Sequence, residues 1–137
     1  MSEVKRILVC GASGFMGRNI ANHFLKNDKY RVYGVGNSRT VSNPSDYEIF
    51  FNCDLTTQAG VDHIFNSGIK FDVVIQAAAT TSGSKDIVQR PYIHVTDNAV
   101  MNSLILRACY DYDVGHFLFL SCGVMYNPAR SPVSEED

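Results

Sequence analysis

The sequence alternates short apolar runs with stretches of helical spacing, and this alternation limits its fold more than any other feature. The apolar runs, which predict strands, lie at residues 5–10, 31–35, 47–53, 71–78 and 117–121. Apolar side chains at helical spacing follow at residues 18–25, 57–66 and 98–110. No hairpin signal joins two successive runs, so the pattern predicts an α/β fold with a parallel sheet and right-handed crossovers.

The segments between these elements are polar and rich in turn-forming residues. Residues 36–46 contain Ser, Asn and Pro and predict a loop, and residues 80–91 predict a second irregular segment. Asp54-Leu55-Thr56 precedes the second helical stretch, and its polar side chains are of the kind that cap a helix N-terminus. The chain from residue 127 onward is polar and contains Pro, which predicts no further strand.

A glycine-rich turn, G-A-S-G-F-M-G at residues 11–17, follows the first predicted strand and opens the first predicted helix. In this setting Gly11 makes a tight turn, Gly14 lets a pyrophosphate approach the backbone, and Gly17 lets the helix pack closely on the strand. The helix N-terminus would supply free N–H groups and partial positive charge. The turn therefore predicts a dinucleotide site, and the alternative is a strand-to-helix turn that uses glycine for its conformation alone.

The end of the second predicted strand bears on the choice of dinucleotide. A carboxylate there would bind a ribose 2′-hydroxyl and favour NAD. The sequence has Gly36-Asn37-Ser38-Arg39 instead. Glycine leaves room for a 2′-phosphate, and Arg39, with Arg18, could pair with it, which favours NADP over NAD. The alternative interpretation of Arg39 is an ordinary exposed arginine in a loop.

Composition and charge exclude several other classes of protein. The chain has 137 residues, 45% of them hydrophobic and 19% charged, and a net charge of -2, which suits one globular domain. The scattered basic residues give no footprint for nucleic acid or an anionic membrane. No apolar run is long enough for a signal-peptide core or a membrane span, so we expect a cytoplasmic protein. The isolated cysteines predict buried thiols, and neither they nor the histidines suggest a metal site; these residues are Cys10, Cys53, Cys109, Cys122, His23, His63, His94 and His116.

Five ordered segments resemble the extended short-chain dehydrogenase/reductases, specifically the NAD(P)-dependent epimerase/dehydratase family. They are G-A-S-G-F-M-G, Cys53-Asp54-Leu55, residues 74–79, residues 98–108 and residues 117–126. The family patterns are G-x-x-G-x-x-G, Asp-Leu, V-x-H-x-A-A, N-V-x-G-T-x-N-L-L-x-A and F-V-x-x-S-S-x-x-V-Y-G. The resemblance covers essentially the whole chain and, within the family, is greatest to GDP-fucose-synthase-like and related nucleotide-sugar enzymes.

The resemblance implies a Rossmann-like three-layer domain over residues 1–137, with five parallel strands in the order 3-2-1-4-5 flanked by helices. It implies hydride transfer between a sugar nucleotide and the nicotinamide of NADP or NAD, with Asp54 near the adenine. The implied cofactor-binding residues are Gly11, Ser13, Gly14, Phe15, Met16, Gly17, Asn37, Arg39, Asp54, Leu55, Ala77, Ala78, Ala79 and Asn98.

The sequence departs from the family at its catalytic positions. Gln76 stands where the family usually has His, and Ser121 or Cys122 falls in the slot of its catalytic Ser or Thr. None of the seven tyrosines is followed four residues later by Lys, although the family uses that pair for proton transfer. Tyr126 matches the V-Y-G tyrosine, and residues 132–137 resemble the P-x-x-E segment that precedes the catalytic pair.

We therefore expect the cofactor-binding part of a nucleotide-sugar epimerase, dehydratase or reductase, truncated before the Tyr-Lys pair and the substrate domain. Such a chain should be inactive by itself. Two alternatives stay open: a stand-alone, non-catalytic NAD(P)-binding sensor or scaffold, and a structural remnant that binds no cofactor.

The fifth predicted strand would lie at an edge of the sheet. Residues 117–120 read Phe-Leu-Phe-Leu, and an apolar edge is prone to pair with another chain. We expect a homo-oligomer, or self-association through this strand.

Overall fold

Five parallel strands form one sheet in the computed structural model, which describes residues 4–81, 83–122 and 134. The strands are β1 (Lys5–Cys10), β2 (Tyr30–Gly36), β3 (Phe50–Asn52), β4 (Val73–Gln76) and β5 (His116–Phe119). The helices are α1 (Phe15–Leu25), α2 (Gln58–Phe65), α3 (Ser84–Gln89) and α4 (Pro91–Asp111), with a 3-10 turn at Pro44–Asp46. The sheet order is β3-β2-β1-β4-β5, which confirms the predicted architecture.

Helices cover both faces of the sheet, so the buried parts of the central strands are largely apolar. Along β1, Ile7 and Val9 pack on one face with Ala21 of α1. Leu8 lies on the other face, where α2 and α4 pack and Ile105 of α4 is fully buried. Because both faces are covered, the buried residues 7–10 of β1 are all apolar and show no alternation, whereas Lys5 and Arg6 at its start are exposed.

The segment predicted to be irregular, residues 80–91, is largely helical, so that prediction was wrong. It contains α3, and α4 begins at Pro91 rather than near Asn98. Proline suits the first turn of a helix because it lacks an N–H that would have no partner there. The buried residues of α4 are Met101, Ile105, Ala108 and Cys109, all from its midpoint onward, so its first turns show no buried apolar stripe for a sequence pattern to detect.

The remaining boundaries differ from prediction by a few residues. Helix α1 begins inside the glycine-rich turn, at Phe15, and β4 is shorter than the apolar run 71–78. The cap of α2 is Thr57, whose hydroxyl accepts a 3.1 Å hydrogen bond from the Gly60 N–H. The predicted capping segment has another role, since the Asp54 carboxylate accepts from the Thr56 amide and hydroxyl.

All four cysteines are free thiols, in different environments. Cys10 and Cys109 are buried, Cys53 is half-buried and Cys122 is exposed. The expectation of a buried thiol was therefore wrong for Cys122, because β5 ends before it and nothing described covers it.

Helix α4, with 21 residues, is the longest helix in the described part of the chain. Within that part, no helix combines the length and the apolar character needed to cross a membrane.

Candidate functional site

A cleft of about 570 Å³ opens at the carboxyl ends of β1, β2, β3 and β4. Four segments and one residue of α4, Met101, line it; the segments are the glycine-rich turn, the end of β2, the residues after β3 and the residues after β4. The chain leaves β1 toward β2 on one side, while β4 lies on its other side, so the cleft sits where the strand order reverses. Open α/β sheets bind ligands at this point. The lining residues are Gly11, Ser13, Gly14, Phe15, Met16, Val35, Gly36, Asn37, Ser38, Arg39, Cys53, Asp54, Leu55, Thr56, Ala77, Ala78, Ala79, Thr80, Thr81 and Met101.

The glycine-rich turn has the tight geometry that its sequence predicts. Gly11 adopts a positive φ of 77°, and its carbonyl accepts a 2.9 Å hydrogen bond from the Gly14 N–H. A Cβ on Gly11 would stand 2.7 Å from the backbone N and Cα of Ala78, so the turn packs directly on the segment after β4. Only glycine satisfies both requirements at position 11.

Helix α1 points its N-terminus at the cleft without a side-chain cap. Gly14 is the N-cap, no side chain caps the first turn, and no acidic residue lies in it. Gly14 is exposed, and a Cβ there would meet one atom within 4 Å, the Gly11 carbonyl oxygen, at a tight 3.2 Å. Gly17 is buried instead and lies outside the cleft lining, where it lets α1 pack on the turn. The N-terminus of α1 is thus a region of positive potential that an anion can reach.

The end of β2 contributes Asn37 and Arg39 to the cleft, both exposed. Arg39 forms no ion pair with any residue that the structure describes, and Arg18 is exposed but does not line the cleft. Gly36 has a local reason for lacking a side chain, because a Cβ there would stand 2.8 Å from the Arg39 carbonyl oxygen and 2.9 Å from the Phe50 ring. The packing of Phe50 and of the backbone at Arg39 is therefore enough to require glycine at position 36, with or without a bound ligand.

The residues after β3 form the far wall of the cleft. Leu55 is buried there, and the Asp54 carboxylate uses one oxygen, Oδ1, for both its bonds to Thr56. Burial, with a smaller contribution from the Asp54 charge, raises the pKa of the Cys53 thiol to about 11. The thiol is therefore neutral near pH 7 and acts as a small apolar part of the wall.

Hydrogen-bonded side-chain amides support the segment after β4. Asn98, predicted to bind cofactor, does not line the cleft; its amide bonds the backbone of Thr80 instead. Gln76 is buried and bonds Ala78 and Asn102. Thr80 and Thr81 also line the cleft, although the sequence analysis did not predict them. Their place directly after the predicted Ala77–Ala79 could have indicated that they line it too.

The proposed Ser/Thr slot lies at the end of β5. Ser121 and Cys122 are exposed and follow Leu120, whose N–H donates to the Gln76 carbonyl. Neither residue lines the cleft described above. Tyr126 and, apart from Ser134, residues 132–137 lie outside the described residues.

A parallel sheet in this order, with a glycine turn after β1 and a cleft at the point of reversal, defines the Rossmann-like class of folds. The profile of the NAD dependent epimerase/dehydratase family matches residues 7–137. The chain therefore belongs to this family.

Similar proteins include two UDP-glucose 4-epimerases. The enzyme of Caenorhabditis elegans is 26% identical over 95% of this chain and 42% of its own length. The crystal structure of the Thermotoga maritima enzyme with UDP-glucose is 26% identical, with a TM-score of 0.75 over 86% of this chain and 38% of that one.

The Bifidobacterium longum UDP-glucose 4-epimerase, solved with NAD+ and UDP, shares the fold. Its TM-score is 0.79 at 22% identity, over 96% of this chain and 42% of that one. The chain thus spans less than half the length of each of these three relatives.

Proposed function

We propose that this chain binds NADP or NAD in the cleft, with the pyrophosphate over the glycine-rich turn. The observation that carries the proposal is the exposed backbone of Gly14, which lines the cleft at the uncapped N-terminus of α1. The shape fits the group, since a side chain at position 14 would occupy the cleft that a pyrophosphate needs. Family membership supports the same ligand.

The chain's own residues would hold and orient the dinucleotide. Amides in the first turn of α1 donate to the phosphate oxygens, assisted by the helix dipole. Asp54 uses only Oδ1 for Thr56, so Oδ2 can accept a hydrogen bond from the adenine amino group. When bound, the nicotinamide supplies a hydride donor or acceptor.

We infer that Arg39 directs the preference toward NADP. No carboxylate follows β2 to accept a ribose 2′-hydroxyl, and the exposed Arg39 guanidinium at the cleft can pair with a 2′-phosphate.

For the whole protein, we propose hydride transfer to and from the sugar of a nucleotide sugar, as in an epimerase, dehydratase or reductase. The UDP-glucose 4-epimerases among its relatives support a nucleotide-sugar substrate. The closer likeness to GDP-fucose-synthase-like enzymes stays a prediction. We further propose that residues 1–137 form one cofactor-binding domain that does not turn over sugar nucleotide by itself, since no Tyr-x-x-x-Lys pair occurs in the sequence.

Calorimetric titration with NADP+ and NAD+ tests the binding proposal. We expect saturable binding with one site per chain, and its loss in Gly14→Val. Valine can adopt the φ of -80° and ψ of 171° found at Gly14. Its Cβ would press on the Gly11 carbonyl oxygen at 3.2 Å, so circular dichroism checks that the variant is folded before binding is measured. Gly83→Ala is the control, because a Cβ there meets nothing within 4 Å. Absence of binding by the native chain would overturn the proposal.

Two further measurements separate the alternatives. Conversion of UDP-glucose by the isolated chain with NAD+ would contradict the proposed inactivity. A change of assembly state on cofactor titration, followed by light scattering, would favour a stand-alone sensor instead.

A further inference from the structure

The segment after β4 is held by a side-chain amide from its own strand. The Gln76 Oε1 accepts a 3.2 Å hydrogen bond from the Ala78 N–H, and its Nε2 donates to the Ala78 carbonyl at 3.2 Å. Nε2 also donates to Asn102 Oδ1 of α4 at 2.8 Å. Gln76 is only 1% exposed, so these bonds form where water cannot replace them.

A second amide repeats the arrangement two residues further along. The Asn98 Oδ1 accepts a 2.8 Å hydrogen bond from the Thr80 N–H, and Nδ2 donates to the Thr80 carbonyl at 3.0 Å. Nδ2 also donates to the His94 carbonyl at 2.6 Å, which anchors it within α4. Residues 78 and 80 are thus each bonded through both backbone groups, as a neighbouring strand would bond them.

The hydrogen bonds of Gln76 and Asn98 form a clamp on residues 77–81, and these residues belong to the cleft. Residues 77–81 form one wall, and the glycine-rich turn packs on them at Ala78, where a Cβ on Gly11 would have no room. The Ala77 N–H also donates to the Cys10 carbonyl at 3.1 Å, directly before the turn. A shift of this wall therefore moves one side of the cleft and displaces the support of the turn.

We propose that Gln76, Asn98 and Asn102 are positioning residues that set the dinucleotide affinity by clamping residues 77–81 and, through Ala78, the glycine-rich turn. This inference rests on the proposed function. It assigns Asn98 and Asn102 a role through the wall rather than through contact with the ligand.

A purely stabilising role makes a different prediction. Loss of a structural hydrogen bond lowers the melting temperature but leaves the affinity of the folded fraction unchanged. Loss of a positioning bond lowers the affinity of fully folded protein and frees the backbone amide that the side chain had bonded.

The test compares Asn98→Leu and Asn102→Leu with Ser103→Ala, which removes an exposed hydroxyl bond on the same helix. The readouts are amide hydrogen exchange at Ala78 and Thr80 by NMR, and NADPH and NADH binding by fluorescence at a temperature where all variants are folded. We expect faster exchange at Thr80 in Asn98→Leu and at Ala78 in Asn102→Leu. Each change should weaken binding about tenfold, and Ser103→Ala should change neither readout.

Two outcomes overturn the inference while leaving the binding proposal intact. One is native affinity in both Leu variants, and the other is an equal loss in Ser103→Ala. If the native chain binds neither nucleotide, the proposed function itself fails, and this inference fails with it. Should one Leu variant not fold, the other decides the test, because Asn98 bonds Thr80 directly whereas Asn102 acts on Ala78 through Gln76.

Discussion

Gly17 packs directly against the carbonyl group of Gly11. A Cβ at position 17 would overlap that carbonyl oxygen and stand 2.6 Å from its carbon. The obstacle is backbone on both sides, so no side-chain rotation can relieve it. The start of α1 and the glycine-rich turn therefore hold each other in place.

We predict that Gly17→Ala destabilises the fold and impairs dinucleotide binding. Moving α1 away from the turn should cost about 1–3 kcal/mol, the usual range for overpacking a core. Urea unfolding measures the loss, with Gly83→Ala as a control in open space. Equal stabilities of the two variants would mean that the contact between positions 17 and 11 relaxes freely.

Arg39→Ala should reduce the affinity for NADP+ while leaving that for NAD+ nearly unchanged. A charge-assisted pair with the 2′-phosphate contributes about 1.5–3 kcal/mol, so the loss should be about tenfold or more. Asn37→Asp should shift the preference toward NAD+, because a carboxylate binds the 2′-hydroxyl and repels the 2′-phosphate. Calorimetry with both nucleotides checks each change. Tighter binding of NAD+ by the native chain, unaltered in Arg39→Ala, would rule out this role.

The buried thiols should make the fold less stable in alkaline solution. Burial raises the pKa of Cys109 to about 12, and burial followed by the nearby Cys109 and Cys53 raises that of Cys10 well above 9.0. Below pH 9.0 these thiols are protonated in both the folded and the unfolded state, so their titration does not lower the free energy of unfolding. Above it only the unfolded state releases protons, so each buried thiol lowers the unfolding free energy by up to about 1.4 kcal/mol per pH unit.

Urea unfolding between about pH 8 and about pH 10.5 measures this slope. Cys10→Ala should lower the overall stability and flatten the slope, whereas Cys122→Ser, at an exposed position, should leave it as it is. An identical slope in Cys10→Ala would show that the buried thiol does not contribute.

We propose that the chain self-associates through β5. This strand pairs with β4 on one side, its other edge meets no strand in the described part of the chain, and Leu118 and Phe119 are 44% and 48% exposed. Leu118→Lys should raise the concentration needed for association by about tenfold, because a lysine on an edge strand discourages pairing.

Sedimentation velocity measures the association, with Leu106→Lys as a matched control. Leu106 is 55% exposed on α4, so its replacement changes the charge equally and leaves the β5 edge intact. A native chain that stays monomeric at high concentration would contradict pairing through β5.

The parallel sheet and its strand order could be predicted because buried strands require unbroken apolar runs. Val74 and Ile75 in β4 meet this requirement on both faces of the sheet. Helix α3 could not be predicted, since its apolar residues Ile87 and Val88 are exposed and produce no buried stripe.

Most of the cleft could likewise be predicted, because glycines and strand ends mark where backbone approaches a ligand. The hydrogen bonds of Asn98 to Thr80 could not be predicted, since a side-chain amide can bond a ligand or a backbone equally well and only the tertiary structure brings Thr80 beside it.

The sequence by itself determined the succession of the five strands, the glycine-rich turn and the absence of a Tyr-x-x-x-Lys pair, because each is a property of neighbouring residues. The tertiary structure decided which distant groups meet. It brings Ala78 against Gly11, and it places the side-chain amides of Gln76 and Asn98 where they hydrogen-bond the backbone of residues 78 and 80. Such contacts depend on how elements far apart in the chain pack together, and a local pattern of residues contains no information about that packing.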